Sequence, residues 1–197
     1  MNTLIERRQP IACLKGKKVI LRPFDVTTDF ELFLKWINDP DVIRYLLRFI
    51  PIYRHQQLPW FQSLPNSTDV VFTTETVTGE IVGAIGLENI NLINGTACTW
   101  QIIGEKKYWG KGIGTEAKIL LLEYAFQTLR LEKIGAEIMA SNAGSLCYNE
   151  KCGFREEGRL RSHIFRGGMR HDLILLGVLK EEFAEVSARY RQTAAAF

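Results

Sequence analysis

Tyr108-Trp109-Gly110-Lys111-Gly112-Ile113-Gly114-Thr115 joins two unlike segments. Before it runs a strand-like stretch, Ala97–Gly104, and after it an apolar-periodic helix, Glu116–Leu129. A glycine-rich turn that opens a helix leaves several backbone N–H groups directed at one point. The helix dipole favours negative charge at the same point. Such a turn is a place to hold phosphate.

The spacing separates the phosphate-binding loops. A P-loop needs GxxxxGK[ST], whereas Gly114 is followed here by Thr115-Glu116. A dinucleotide fingerprint needs GxGxxG after a first parallel strand. Gly110-Lys111-Gly112-Ile113-Gly114 is GxGxG and follows an antiparallel meander. A tight turn needing positive φ at several glycines would also account for the loop taken alone.

Outward toward the N-terminus, Asn94-Gly95 is a hairpin turn that makes Thr96–Gly104 the third strand of the meander. The first two strands are Val70–Thr76 and Ile81–Asn89, joined at Thr78-Gly79. Lys18–Phe24 reads as a strand. Thr28 and Glu31 read as a capping box for a helix carrying Phe30, Phe33, Leu34 and Ile37 on one face, stopped at Asn38-Asp39-Pro40. Residues 41–65 suggest two short helical patches interrupted by Pro51, Pro59 and Pro65. Toward the C-terminus follow a strand, Lys133–Ala140, and a helix capped by Asn142 and ended at Gly153. Two strands, Leu160–Phe165 and Asp172–Val178, flank Gly167-Gly168, and Glu181–Arg191 is a last helix. The order is mixed α/β: a largely antiparallel central sheet flanked by helices, with a glycine-rich strand-to-helix loop. The expected organisation is an arm over 1–14, one domain over 15–183 and a helix end or tail over 184–197.

Composition narrows the function. A formal net charge of +3 over 197 residues, with scattered basic residues, does not point to nucleic acid. No apolar run approaches the roughly 20 residues of a membrane span, and residues 1–10 lack a signal-peptide core, so the expectation is a cytoplasmic protein. Cys13, Cys98, Cys147 and Cys152 fit no zinc spacing and read as reduced thiols. His55, His163 and His171 form no HExxH, and no metal is expected.

From Ala97 onward the chain resembles the GNAT acetyltransferase superfamily, and within it the RimJ/RimL-like branch. Trp109-Gly110-Lys111-Gly112-Ile113-Gly114 occupies the family's Gln/Arg-x-x-Gly-x-Gly/Ala loop, with Trp109 departing from the usual first residue. A second block matches at Asn142-x-x-Ser145, Glu150-Lys151-Cys152-Gly153-Phe154 and Glu157-Gly158. Trp36-Ile-Asn-Asp-Pro40 and the closing hairpin His163–Asp172 extend the resemblance to about residues 17–183.

The resemblance implies acetyl-CoA as donor and an amine as acceptor. It implies a pyrophosphate on Trp109, Gly110, Lys111, Gly112, Ile113, Gly114 and Thr115. The pantetheine would pair with the backbone of Ile102, Ile103 and Gly104, with Asn142 near that arm. Asn142 reads equally well as a plain N-cap. Acyl transfer needs a neutral nucleophile, a donor for the oxyanion and a proton for the thiolate. The resemblance offers a backbone N–H for the oxyanion and Ser145 for the thiolate. Many relatives place a tyrosine where Asn149 stands. Tyr148, one residue earlier and about 100° away on the helix, is a second candidate expected to face elsewhere. Cys98 and Ile164 occupy the positions of the usual basic carboxylates, leaving Glu88, Glu105, His163 and Asp172. Losing a dedicated base matters least for an amine of pKa about 8, of which roughly a tenth is neutral at pH 7. A lysine-like amine is neutral in only about one part in 2000. A low-pKa acceptor, such as a protein N-terminal α-amine, is therefore expected, beside small amines such as an amino sugar, an antibiotic or a polyamine. Acceptor-binding candidates are Trp36, Asn38, Asp39 and Tyr45, with Trp60 and Phe61 as further aromatics. The alternative is a CoA-binding sensor with this fold and little catalysis. Monomer and homodimer are both open.

Overall fold

The computed structural model describes residues 14–47 and 50–195. Cys13 and all but the last residue of the expected N-terminal arm lie outside them.

Among the described residues eight strands form one sheet in the order β1-β2-β3-β4-β5-β6-β8-β7. They are β1 (Leu14–Lys15), β2 (Val19–Pro23), β3 (Val70–Thr76), β4 (Ile81–Asn91), β5 (Thr96–Ile103), β6 (Lys133–Met139), β7 (Arg155–Arg166) and β8 (Met169–Leu179). Leu14 thus belongs to the sheet and not to an arm. Every pairing is antiparallel except β5 with β6. That parallel pairing covers only Thr96↔Lys133, Ala97↔Ile134 and Cys98↔Gly135. Beyond it β5 stays with β4 as far as Ile103↔Gly83, and β6 stays with β8 as far as Met139↔Leu173. The two strands therefore splay, and the facing edges of 99–103 and 136–139 have no ladder between them.

The helices are α1 (Val26–Trp36), α2 (Pro40–Ile43), α3 (Arg54–Ser63), α4 (Ile113–Glu123), α5 (Ala143–Lys151) and α6 (Lys180–Ala195). A π-helical turn, Tyr124–Thr128, continues α4. The start of α1 corrects the expected capping box. Asp25, not Thr28, caps the helix by accepting from Thr27 N at 2.8 Å. The Thr28 hydroxyl bonds instead to Asp29, whose carboxylate is buried against Arg22. Similarly α4 begins at Ile113 rather than Glu116, because Gly112 at φ 80° is its N-cap. The closing strands begin earlier than expected, at Arg155 and Met169, and bulges at Glu156/Gly158 and Leu160/Ile164 absorb the mismatch. The boundary expected at 183 cuts through α6, which buries Phe183 and Val186 against the core.

Alternation along the strands fills two cores, one on each face. Leu21, Ile85, Leu87 and Ile134 pack with Ala117, Leu121 and Leu122 of α4. On the other face Val71, Ala84 and Ile102 pack with Phe30, Phe33 and Trp36 of α1 and Phe61 of α3. Phe61 stacks on Phe24 at 4.0 Å and meets Phe33 edge-on at 5.0 Å. Each fully buried side chain of this size contributes roughly 1.5–3 kcal/mol. Among the described residues no helix is long and apolar enough to cross a membrane.

Candidate active site

The glycine loop is held from three sides. Its first turn closes with Trp109 N donating to Lys106 O at 3.0 Å and Lys111 N to Tyr108 O at 3.3 Å. Gly110 and Gly112 take φ 73° and 80°, left-handed values that a β-branched residue would adopt only under strain. Gln101 on β5 donates from Nε2 to Gly114 O at 3.1 Å. The first helical bond runs from Glu116 N to Gly112 O at 3.1 Å. The amides of Ile113, Gly114 and Thr115 lie ahead of it and face out at the helix start. Trp109, 44% exposed, donates its indole N–H to Ile103 O at 2.7 Å. That carbonyl, expected to meet the pantetheine, is thus held by the loop's own tryptophan.

Two residues unnoticed in the sequence complete the loop. Glu116 is buried and accepts from Lys17 N, Lys18 N and Val19 N at 3.1, 2.6 and 2.9 Å, and from the Tyr190 hydroxyl at 2.6 Å. This carboxylate ties the start of β2 and α6 to the head of α4. Lys18 is thereby brought over the loop, with Nζ donating to Lys111 O at 3.0 Å. Lys17-Lys18 reads only as the polar start of a strand, so no local signal marks it.

At the foot of the splay, Cys98 pairs across β4 with Glu88 and across β6 with Gly135. Alternation puts Glu137, two residues past Gly135, on the same face. Glu88 is half-buried; burial, then Asp69 and Glu137, push its carboxyl above the ordinary range. Burial, then Glu137 and Glu88, push the Cys98 thiol up as well. A bulge after Glu88, with Asn89 at φ 54°, turns the strand here. Trp100 shares this face. Its indole lies over Gly86, where any side chain would collide with it, and Trp60 stands 6.2 Å away. Glu88 thus occupies the strand beside the position that relatives fill with a carboxylate.

Helix α5 supplies hydroxyls. Asn142 Oδ1 accepts from Ser145 N at 3.0 Å, so its capping role is realised. Asn149 Nδ2 donates to Ser145 O at 2.9 Å and to Ser145 Oγ at 3.3 Å, which leaves the serine proton available. The Tyr148 ring packs on the core, but its hydroxyl lies beside the Ser145 and Asn149 side chains. A residue expected to face elsewhere therefore returns its hydroxyl to the same spot. Burial pushes that phenol up to about 12, so it stays protonated and can donate.

The other candidates are engaged structurally. Trp36 is 3% exposed, donates to Glu105 Oε1 at 3.0 Å, and lies where a Gly104 side chain would have to go. Asn38 clips the chain through Leu34 O, Ile52 O and Ile52 N. Asp39 caps α2 and pairs with Lys106 at 3.1 Å. Of the expected acceptor-binding set, Asn38 and Tyr45 are exposed, Tyr45 at 37%. Phe61 is core. His163 is exposed on the hairpin. Asp172 accepts from Ser162 N at 2.9 Å and Arg159 Nη1 at 3.3 Å; these bonds hold its carboxyl below the ordinary range. It serves the β7–β8 bulge and is poorly suited to take a proton. Arg166 at the hairpin tip donates to the carbonyls of Ile43, Arg44, Leu46 and Leu47 at 2.8–3.4 Å, tying the tip over the end of α2.

Residues 18–155 match the model of the acetyltransferase (GNAT) domain family. The chain is 30% identical over 180 residues to YjcK of Bacillus subtilis, named a probable N-acetyltransferase, across 86% of this chain and 98% of the relative. It is 36% identical over 105 residues to YdaF of the same organism, which carries a provisional ribosomal N-acetyltransferase name. That match covers 53% of this chain and spans 57% of the length of YdaF. The crystal structure of spermidine N-acetyltransferase from Vibrio cholerae, in complex with CoA and spermine, superposes with a TM-score of 0.78. Its identity is 23%, over 86% of this chain and 99% of that one.

Proposed function

This chain belongs to the acetyltransferase (GNAT) family, and we propose that it moves an acetyl group from acetyl-CoA to a primary amine, with Glu88 as base and Ser145 and Tyr148 as donors to the leaving sulfur. The observation that carries this reading is the splay of β5 from β6 at Cys98/Gly135, with the raised, half-buried Glu88 at its foot. The open strand edges can receive the pantetheine, and the amides of Ile113, Gly114 and Thr115 with Lys18 suit the pyrophosphate. The amine attacks the thioester carbon and gives its proton to Glu88. The C–S bond then breaks toward sulfur, which takes a proton from the hydroxyl pair on α5.

The acceptor that fits best is a low-pKa amine such as a protein N-terminal α-amine. Glu88, though raised, remains a far weaker base than a lysine-like amine, so an acceptor already partly neutral is favoured. The RimJ/RimL-like assignment rests on Ser145 and the Trp109 loop and points the same way. A polyamine is the second reading, favoured by the acidic face of Glu88, Glu137 and Asp69.

Thiol release from acetyl-CoA with a panel of N-terminal peptides, polyamines and amino sugars tests this. Turnover should be best with the peptides, and Glu88→Gln should lower kcat/KM by about 100-fold. Tight CoA binding without turnover on any amine would instead support the sensor alternative.

A further inference from the structure

Lys118 on α4 is 1% exposed, and among the described residues it forms no ion pair with a carboxylate. An ammonium sealed from water without an anion is strongly disfavoured, and an apolar residue at this core position would avoid that cost. Its surroundings are specific. From β5, Thr99 accepts from Lys118 Nζ at 2.9 Å, while the Thr99 hydroxyl proton is committed to Gly86 O at 3.0 Å. From α5, the Tyr148 ring lies with its centroid 5.8 Å from Nζ. From the chain entering β7, Phe154 lies at 5.7 Å. The titratable groups facing Lys118 are Tyr148 and the buried Cys152 thiol. Thr99 is the first residue past the last β5–β6 pair, so the lysine sits directly beneath the foot of the splay.

We propose that Lys118 is a positioning residue for the proton donor Tyr148, holding its ring from below and offsetting the negative charge the phenol takes on as it protonates the leaving thiolate. This rests on the acetyl-transfer reading above. As the C–S bond breaks, its electron pair goes to sulfur and the Tyr148 proton follows, leaving a phenolate. That phenolate regains the proton that the amine released through Glu88 and solvent. An ammonium facing an aromatic ring is attracted by its π-electrons, and more strongly when the ring becomes an anion. Burial lowers the Lys118 ammonium to about 7, so near neutral pH a share of the molecules already carries the charge that faces the ring.

The test compares wild type, Lys118→Met, Tyr148→Phe and the double variant in the full chain, with kcat read from pH 6 to 9. Lys118→Met should lower kcat about tenfold or more. KM for acetyl-CoA should stay within about twofold, and thermal stability should be unchanged or higher. Wild type should show a fall in kcat above about pH 7, where Lys118 deprotonates, and the variant should lack it. In the Tyr148→Phe background, Lys118→Met should have no further effect. Lys118→Gln, which keeps a donor for Thr99 without charge, should reproduce the loss if Lys118→Met folds poorly. A wild-type kcat and pH profile in both Lys118 variants would overturn the proposal, as would an equal loss with and without Tyr148. A silent Tyr148→Phe would overturn it together with the donor assignment. Absence of amine-dependent thiol release by wild type would instead mark failure of the acetyl-transfer reading.

Discussion

At the scale of single residues, the proposed chemistry draws on groups whose ordinary ionisation has been displaced. Glu88 is raised by burial and by neighbouring acids, so it takes up a proton above the ordinary glutamate range. As pH falls through that raised value the carboxylate is lost as a base, and kcat/KM should fall with it. A pH–rate series should place the acid limb above pH 4.5, and Glu88→Gln should remove it. Ser145→Ala should lower kcat by about tenfold with acetyl-CoA affinity nearly unchanged, because the serine hydroxyl would act on sulfur as it leaves and not on the bound thioester. Equilibrium binding and single-turnover rates measured side by side check this. Ser145 entered through the family resemblance of the Asn142-x-x-Ser145 block. Glu88 was one of several carboxylates, and register across β4 and β5 puts it opposite Cys98. Trp36, Asn38 and Asp39 looked like acceptor contacts because aromatic and polar residues near a helix end fit binding and capping equally well. Their partners turned out to be Glu105, Ile52 and the start of α2.

At the scale of elements, the strand-to-helix loop is the most local feature of the site. Its positive φ angles at Gly110 and Gly112 are properties of a short stretch of backbone. Gly112→Val should remove acetyl-CoA binding. A β-branched side chain is strained at φ 80°, and its Cβ would stand 3.2 Å from Lys18 Nζ. Calorimetric titration with CoA, alongside a melting curve showing a folded variant, checks it. Normal binding would show that the loop does not cradle the pyrophosphate. Helices α1 and α4 start where Asp25 and Gly112 cap them, not at the positions that periodicity suggests. In the first turns that follow, Asp29 and Glu116 are drawn inward by donors from Arg22 and from the start of β2. Periodicity cannot show such donors.

At the scale of the whole molecule, two arginines join distant parts. Arg22 on β2 grips Asp29 at 2.7 and 2.8 Å and Glu75 at 2.8 Å, fastening α1 to the sheet. Burial alone would raise the Asp29 carboxyl, but bonds from Arg22, Thr73 and the Asp25 amide outweigh it and hold it low. A depressed carboxylate stabilises the fold above its unfolded pKa of about 4 and loses that contribution as pH falls through its folded value. Asp29→Asn should destabilise by about 3–5 kcal/mol at pH 7 because it leaves Arg22 without its closest anion. The deficit against wild type should shrink on acidification below pH 4, which denaturant titrations at several pH values would read. Arg166, joining the hairpin tip to the end of α2, belongs to the same scale. Arg166→Ala should free that closure and raise the acceptor KM several-fold, with acetyl-CoA KM unchanged in steady-state assays.

What the sequence determined by itself is what short-range chemistry carries. Glycine spacing dictates the loop's backbone, strand alternation dictates two buried faces, and Asn142 dictates where α5 begins. From these came the mixed sheet and the expectation of an anion-holding turn, while the family came from the resemblance of the 109–114 and 142–158 blocks. Tertiary structure alone decided which side chains meet. It set Glu88 opposite Cys98, Lys18 over the loop, Tyr148 beside Ser145, and Lys118 beneath Thr99. Each of these pairs or groupings that spans strands or helices depends on register and packing angle. A shift of one residue sends a side chain to the opposite face of a strand or a quarter-turn around a helix.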